Sequence, residues 1–231
     1  MNNIIGIIGA MDIEVNGLIS EMSEKSSENI SGIDFIRGKL YGKEIVVAKC
    51  GIGKVFASVC TQTMILKYSP EFIINSGVAG TLCDQLSVMD TIIATKVVQH
   101  DMDTSPLGDP QGLISGINVV YIDTDKNISE KIINSAKGLN INTSCGIIAS
   151  GDQFIANVQR KAEIANYFGA LACEMEGASV GQVCYVNKVP FAIMRTISDG
   201  KGEALDYNTF AKAAASQSIE IIKKFLNNYE V

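Results

Sequence analysis

Short apolar runs alternate along this chain with longer stretches of helical period. Runs rich in isoleucine and valine, bordered by glycine or asparagine, predict strands over residues 4–8, 45–48, 72–74, 91–98, 146–149 and 191–194. The intervening segments predict helices over 14–23, 55–67, 129–137, 158–167, 176–187 and 209–228. The last is the clearest: Phe210, Ala213, Ala214, Ile221, Ile222 and Phe225 share one face, with lysines and asparagines opposite. Strands alternating with helices predict an α/β fold whose sheet has parallel character and is covered on its faces. In such folds, active groups gather where strand ends meet loops. No repeat or Pro/Gly/Ser-rich linker divides the chain, so residues 1–231 read as a single domain. The longest predicted loop, 100–118, has the length of a functional or interface loop.

Composition narrows the classes. Hydrophobic residues make up 47% of the chain, ample for one continuous core. The net charge of −6 and the lack of a basic run argue against a nucleic-acid partner, which needs clustered Lys and Arg. No stretch reaches the ~18 apolar residues of a membrane span. Asp12 and Glu14 cut short the apolar N-terminal run, unlike a secretory leader. A soluble, cytoplasmic protein with no membrane partner is expected. The six cysteines (Cys50, Cys60, Cys83, Cys145, Cys173, Cys184) show no CxxC spacing and read as reduced thiols. With a single histidine, His100, a His-rich metal site is excluded. His100-Asp101-Met102-Asp103 is too thin a cluster to read as a metal site, so neither metal nor cofactor is expected.

The remaining chemistry rests on carboxylates and glycines. Gly6/Gly9, Gly51/Gly53 and Gly77/Gly80 each follow a predicted strand, either as tight turns or as places where backbone approaches a ligand. None makes GxGxxG, and Gly51-Ile-Gly-Lys54 is only a fragment of a phosphate loop. Glu14 opens a predicted helix, where an acid complements the dipole whether or not it has another role. Glu174 and Glu176 lie in apolar sequence, where each needs a partner; a carboxylate's two oxygens can hold two ribose hydroxyls. Arg195, Ser198 and Asp199 stand at a predicted strand exit, either as an incidental ion pair or as an acid tuned by its neighbours.

Six segments in register carry a resemblance: IIGIIGAMDIEV at 4–15, GIGK at 51–54, INSGVAG at 74–80, SGDQFI at 150–155, EME at 174–176 and RTISD at 195–199. Together they resemble the bacterial 5′-methylthioadenosine/S-adenosylhomocysteine nucleosidases of the nucleoside phosphorylase superfamily, over essentially the whole chain. The resemblance implies a three-layer αβα fold with a mixed, partly barrel-like sheet flanked by helices, and a homodimer. It implies hydrolysis of the N-ribosidic bond of an adenine thionucleoside, methylthioadenosine or S-adenosylhomocysteine, and of 5′-deoxyadenosine, giving adenine and a thioribose. By position, Glu14 matches the acid that activates water. Asp199 matches the acid that protonates adenine, supported by Ser198 and Arg195. Glu176 matches the ribose ligand, Met175 packs on the sugar, and Glu174 is a second acid nearby. Phe154 matches the residue stacked on the purine and Ile155 the backbone that reads its edge. Tyr207, Met11, Ile52, Ala79 and Gly80 match lining positions. Val78 stands where the family carries serine. The loop residues Leu107, Pro110 and Ile114 replace aromatics that reach a partner subunit's site.

The implied chemistry is self-consistent. Cleavage builds positive charge on the ribose and negative charge on the base, so an acid serves the purine and a base serves water, as in inverting glycosidases. The alternatives are a phosphorylase of the same superfamily, an aminodeoxyfutalosine hydrolase, and a non-catalytic nucleoside-binding protein. A phosphorylase needs cations at the sugar, where this sequence places Glu14 and only Lys54.

Overall fold

The computed structural model describes residues 3–200 and 205–230, with side chains at 205–208 left aside. Ten strands form one mixed sheet: β1 (Ile5–Gly9), β2 (Ser23–Ile30), β3 (Ile33–Leu40), β4 (Lys43–Lys49), β5 (Phe72–Thr81), β6 (Thr91–Gln99), β7 (Ile122–Asp123), β8 (Thr143–Ser150), β9 (Ala170–Glu174) and β10 (Phe191–Asp199). Among the described residues six α-helices accompany them: α1 (Asp12–Glu21), α2 (Lys54–Tyr68), α3 (Lys126–Lys137), α4 (Val158–Phe168), α5 (Gly177–Asn187) and α6 (Leu205–Asn228). The sheet order is β10-β6-β8-β9-β5-β1-β4-β3-β2, and a further β10–β5 pairing closes five strands into a barrel. β1 then carries the sheet outward through β4, β3 and β2.

Helices cover both faces. On one side Val15, Leu18, Ile132, Ile222 and Phe225 pack on Ile5, Ile7, Phe72 and Ile74. On the other, Ala57, Cys60, Met64 and Cys184 pack on Ile4, Ile8, Val46 and Ile73. Both clusters are apolar interfaces of the kind that supplies most of the folding drive. β1, β5 and β10 run parallel with both faces covered, which is why they read as continuous apolar runs.

Three departures from the sequence expectation matter. β5 continues from residue 74 to Thr81 and β10 from 194 to Asp199, so Gly77, Gly80, Arg195, Ser198 and Asp199 lie inside strands, not in turns after them. Gly6 and Gly9 likewise lie within β1. A hairpin, β2–β3, was absent from the predicted elements: its outer strand SEKSSENI is polar and almost wholly exposed, so it carries no apolar alternation. Its turn is marked only by Ser31 and Gly32, at φ 55° and 77°. β9 was also missed, because five residues leading straight into a loop give too short a pattern.

Candidate active site

Strand β5 builds the site with its glycines. A Cβ on Gly77 would strike Glu14 Oε1, and one on Gly80 would lie 2.7 Å from Asp199 Oδ2. Each glycine leaves the space that one carboxylate fills. Three residues of strand separate the two stations, on the order of 10 Å. Glu14 and Asp199 line one cavity of about 320 Å³, with Glu174 and Glu176 between the same walls.

Glu14 is the third residue of α1 and turns back over the helix start. Its Oε2 accepts from the N–H of Ala10 at 2.7 Å and of Met11 at 3.0 Å, and Oε1 accepts from Val78 N–H at 3.0 Å. Three backbone donors hold one buried carboxylate in a fixed pose. Burial nevertheless keeps its carboxyl above the ordinary range, against the pull of Arg195 and those N–H groups.

Glu174 and Glu176 do different work. Glu174 ends β9 and accepts from the N–H of Glu176 and of Gly177 (3.1 and 2.8 Å), which begin α5. It also accepts from Ser150 Oγ and is paired with Arg195. Glu176 accepts from Gly53 N–H at 2.8 Å, tying the GIGK turn to the cavity. Burial first, and the neighbouring Glu174 second, push its carboxyl up to about 8. A group held there gains its charge readily when positive charge appears opposite.

Asp199 is buried at the end of β10. Ser198 Oγ donates to its Oδ1 at 3.1 Å, and Lys161 Nζ pairs with its Oδ2 at 3.1 Å. Lys161, itself 3% exposed, was not singled out in the sequence; a lysine on a helix ordinarily reads as solvent-facing. Arg195, expected beside Asp199, instead lies beneath the carboxylates: it donates to Asn75 Oδ1 at 2.5 Å and to Asn75 O at 3.1 Å, besides its pair with Glu174. It does not line the cavity. The reason is strand parity: Arg195 lies four residues before Asp199, on a strand whose register shifts between Ile197 and Asp199.

The structure brings together Met11, Ile52, Val78, Ala79, Gly80, Phe154, Ile155, Met175 and Ser198 around the same cavity, and adds Ala10, Gln153 and Cys173. Phe154 and Ile52 are more than half exposed at its mouth. Val78 gives its N–H to Glu14, while its side chain packs on Ala214 and Ala215. Tyr207 falls in α6, among the side chains outside the described residues. In the 100–118 loop Leu107 and Pro110 are exposed, but Ile114 is buried in its own chain and bridges to Val119. Lys54 does not line the cavity: its Nζ meets Asp101 at 2.6 Å and Gln99 at 3.0 Å. The cavity lining thus holds four carboxylates and, among the described residues, no lysine or arginine.

Known proteins share this fold. Residues 4–227 match the profile described as the Phosphorylase superfamily. A Shewanella loihica protein named 5′-methylthioadenosine/S-adenosylhomocysteine nucleosidase is 36% identical over 228 residues, 97% of this chain and 99% of its own length. The nucleosidase of the same name from Neisseria meningitidis, solved in complex with methylthio-immucillin-A, superposes with a TM-score of 0.94 at 30% identity, covering 98% of this chain and 100% of that one. A futalosine hydrolase from Helicobacter pylori reaches 0.94 at 34% identity, covering 99% of each chain. The chain belongs to the phosphorylase superfamily, and within it to the 5′-methylthioadenosine/S-adenosylhomocysteine nucleosidase family.

Proposed function

We propose that this protein hydrolyses the N-ribosidic bond of 5′-methylthioadenosine and S-adenosylhomocysteine, and also of 5′-deoxyadenosine. The products are adenine and the 5-substituted ribose. One observation carries the reading: Glu14 and Asp199 line a single cavity at separate stations along β5. Water gives a proton to Glu14 as its oxygen bonds to the anomeric carbon. The electron pair of the ribosidic bond leaves with the purine, which takes a proton from Asp199. Each transfer of this kind contributes ~10²–10⁴-fold. Glu176 faces the sugar, where its attraction grows as the ribose becomes cationic. Phe154 and Ile155 hold the purine, and Met11, Met175 and Ile52 the sugar and its tail.

Water fits this cavity better than phosphate. An anionic nucleophile would find carboxyl groups and no cation in the lining, the buried guanidinium of Arg195 being already paired with Glu174. In phosphate-free buffer the purified protein should release adenine from both thionucleosides. Added phosphate should neither speed that release nor yield a ribose-1-phosphate. Phosphate dependence would reverse the assignment, and tight binding without adenine release would leave a nucleoside-binding protein. The Helicobacter pylori neighbour makes futalosine-type nucleosides the second substrate to compare in the same assay.

On this reading the enzyme is a cytoplasmic homodimer. Its free cysteines suit a reducing compartment. Val55, Phe56 and Val59 on α2, with Tyr185 and Val186 on the adjacent α5, present an exposed apolar face beside the cavity's rim residue Ile52. Sedimentation equilibrium at micromolar concentration should give two chains per particle; a monomer there excludes the dimer.

A further inference from the structure

We propose that Lys161 is the positioning residue for proton delivery to the purine, holding Asp199 in aim and stabilising the negative charge left on it. This rests on the reading of Asp199 as the purine's acid.

The geometry is specific. Lys161 is a lysine with 3% exposure on α4, and its ammonium meets Asp199 Oδ2 at 3.1 Å and Gly200 O at 2.6 Å. Ser198 Oγ occupies the other oxygen, Oδ1, at 3.1 Å. Burying a lysine costs several kcal/mol unless its charge is paired and its donors satisfied. Here both partners belong to the last two residues of one strand exit. α4 also starts just after the segment that carries Phe154 and Ile155. One side chain therefore ties the purine-holding segment to the purine's acid.

The consequence follows from what the proton leaves behind. In the structure Lys161 is paired with Asp199; on the proposed reading Asp199 takes up a proton from solvent as substrate binds, and transfer moves that proton to the purine nitrogen and restores the carboxylate. Lys161 keeps its three protons throughout. Its attraction for Asp199 is thus larger after transfer than before, which makes it a transition-state interaction. It serves only substrates whose leaving group needs a proton.

That restriction supplies the test. Lys161→Met, Lys161→Arg and Asp199→Asn are assayed with methylthioadenosine and with 4-nitrophenyl 5-methylthio-β-ribofuranoside, whose phenolate leaves unprotonated. Lys161→Met should lower kcat for methylthioadenosine roughly tenfold, with KM little changed, and leave the nitrophenyl rate near that of the parent. Lys161→Arg should restore most of the loss. The ratio of the two rates in one sample does not depend on how much of the variant is folded. A Lys161→Met ratio equal to the parent's overturns the proposal, whether both rates fall or neither does. Adenine release by Asp199→Asn at the parent's rate overturns the underlying reading instead. If Asp199→Asn loses adenine release while Lys161→Met keeps it, the proposal alone fails.

Discussion

Replacing Arg195 by methionine should lower unfolding free energy by about 3–5 kcal/mol at neutral pH, the loss typical of a buried charge deprived of its partner. Arg195 is 2% exposed and among the largest fully buried side chains of the protein. It donates to both oxygens of Asn75 and is paired with Glu174. Asn75 in turn gives its amide to Ile8 O at 2.9 Å, so one guanidinium links β10, β5, β1 and β9. Burial alone would lower its pKa; the charges of Glu174, Glu176 and Glu14 outweigh that and raise it. Methionine fills much of the volume, so the loss isolates charge and hydrogen bonding. Glu174 would keep its N–H donors from α5 but lose its cation.

The pH dependence has a definite sign. Without Arg195, the buried carboxyls take up protons in the folded protein at pH values where the unfolded chain has released them. Stability then falls as pH rises, more steeply than in the parent. Chemical denaturation at several pH values reads this directly. The double variant Arg195→Met/Glu174→Gln should regain part of the stability, since the uncompensated charge is gone. A loss below about 1 kcal/mol would show that solvent or another group replaces the guanidinium, a magnitude typical of exposed ion pairs.

How much of this was legible beforehand depends on what each feature leaves in the sequence. All six α-helices described were, because their length and, in α3, α4 and α6, their amphipathic period survive local accidents; α6 in particular shows its Ile221, Ile222 and Phe225 stripe. Buried parallel strands were legible as apolar runs, but their ends were not. Gly77 and Gly80 look like the close of a strand, yet they continue β5 because the missing Cβ atoms admit Glu14 and Asp199. The glycines that seemed to be punctuation therefore make room for the cavity's two acids. The acids were visible by residue type, and the resemblance named their places. Their partners were not: Lys161 comes from a helix 38 positions before Asp199, and Asn75 lies 120 before Arg195. Pairings at such separations exist only once the barrel has closed. Arg195 shows the limit most clearly, since four residues of strand separate it from the acid it was expected to support.

Glu14→Gln and Asp199→Asn should each lower kcat by at least ~10² while the protein stays folded. The two replacements differ in what they leave behind. Asparagine at 199 keeps an oxygen or amide toward Ser198 and Lys161 but has no proton to give. Glutamine at 14 keeps one acceptor oxygen for Ala10 and Met11, and turns an amide toward the N–H of Val78, which loses its partner at about 1–3 kcal/mol. Removing a buried carboxylate offsets part of that, because burial already holds Glu14's carboxyl above its usual range. The same shift fixes the acid side of the pH profile. Glu14 must be ionised to take water's proton, so activity is lost as pH falls through its raised pKa, above where an exposed glutamate would titrate. In Glu14→Gln the residual rate should lose that limb. A variant at either position that turns over at a near-parental rate, with an unchanged profile, would take that residue out of the proton path and leave the cavity's other carboxylates to account for the chemistry.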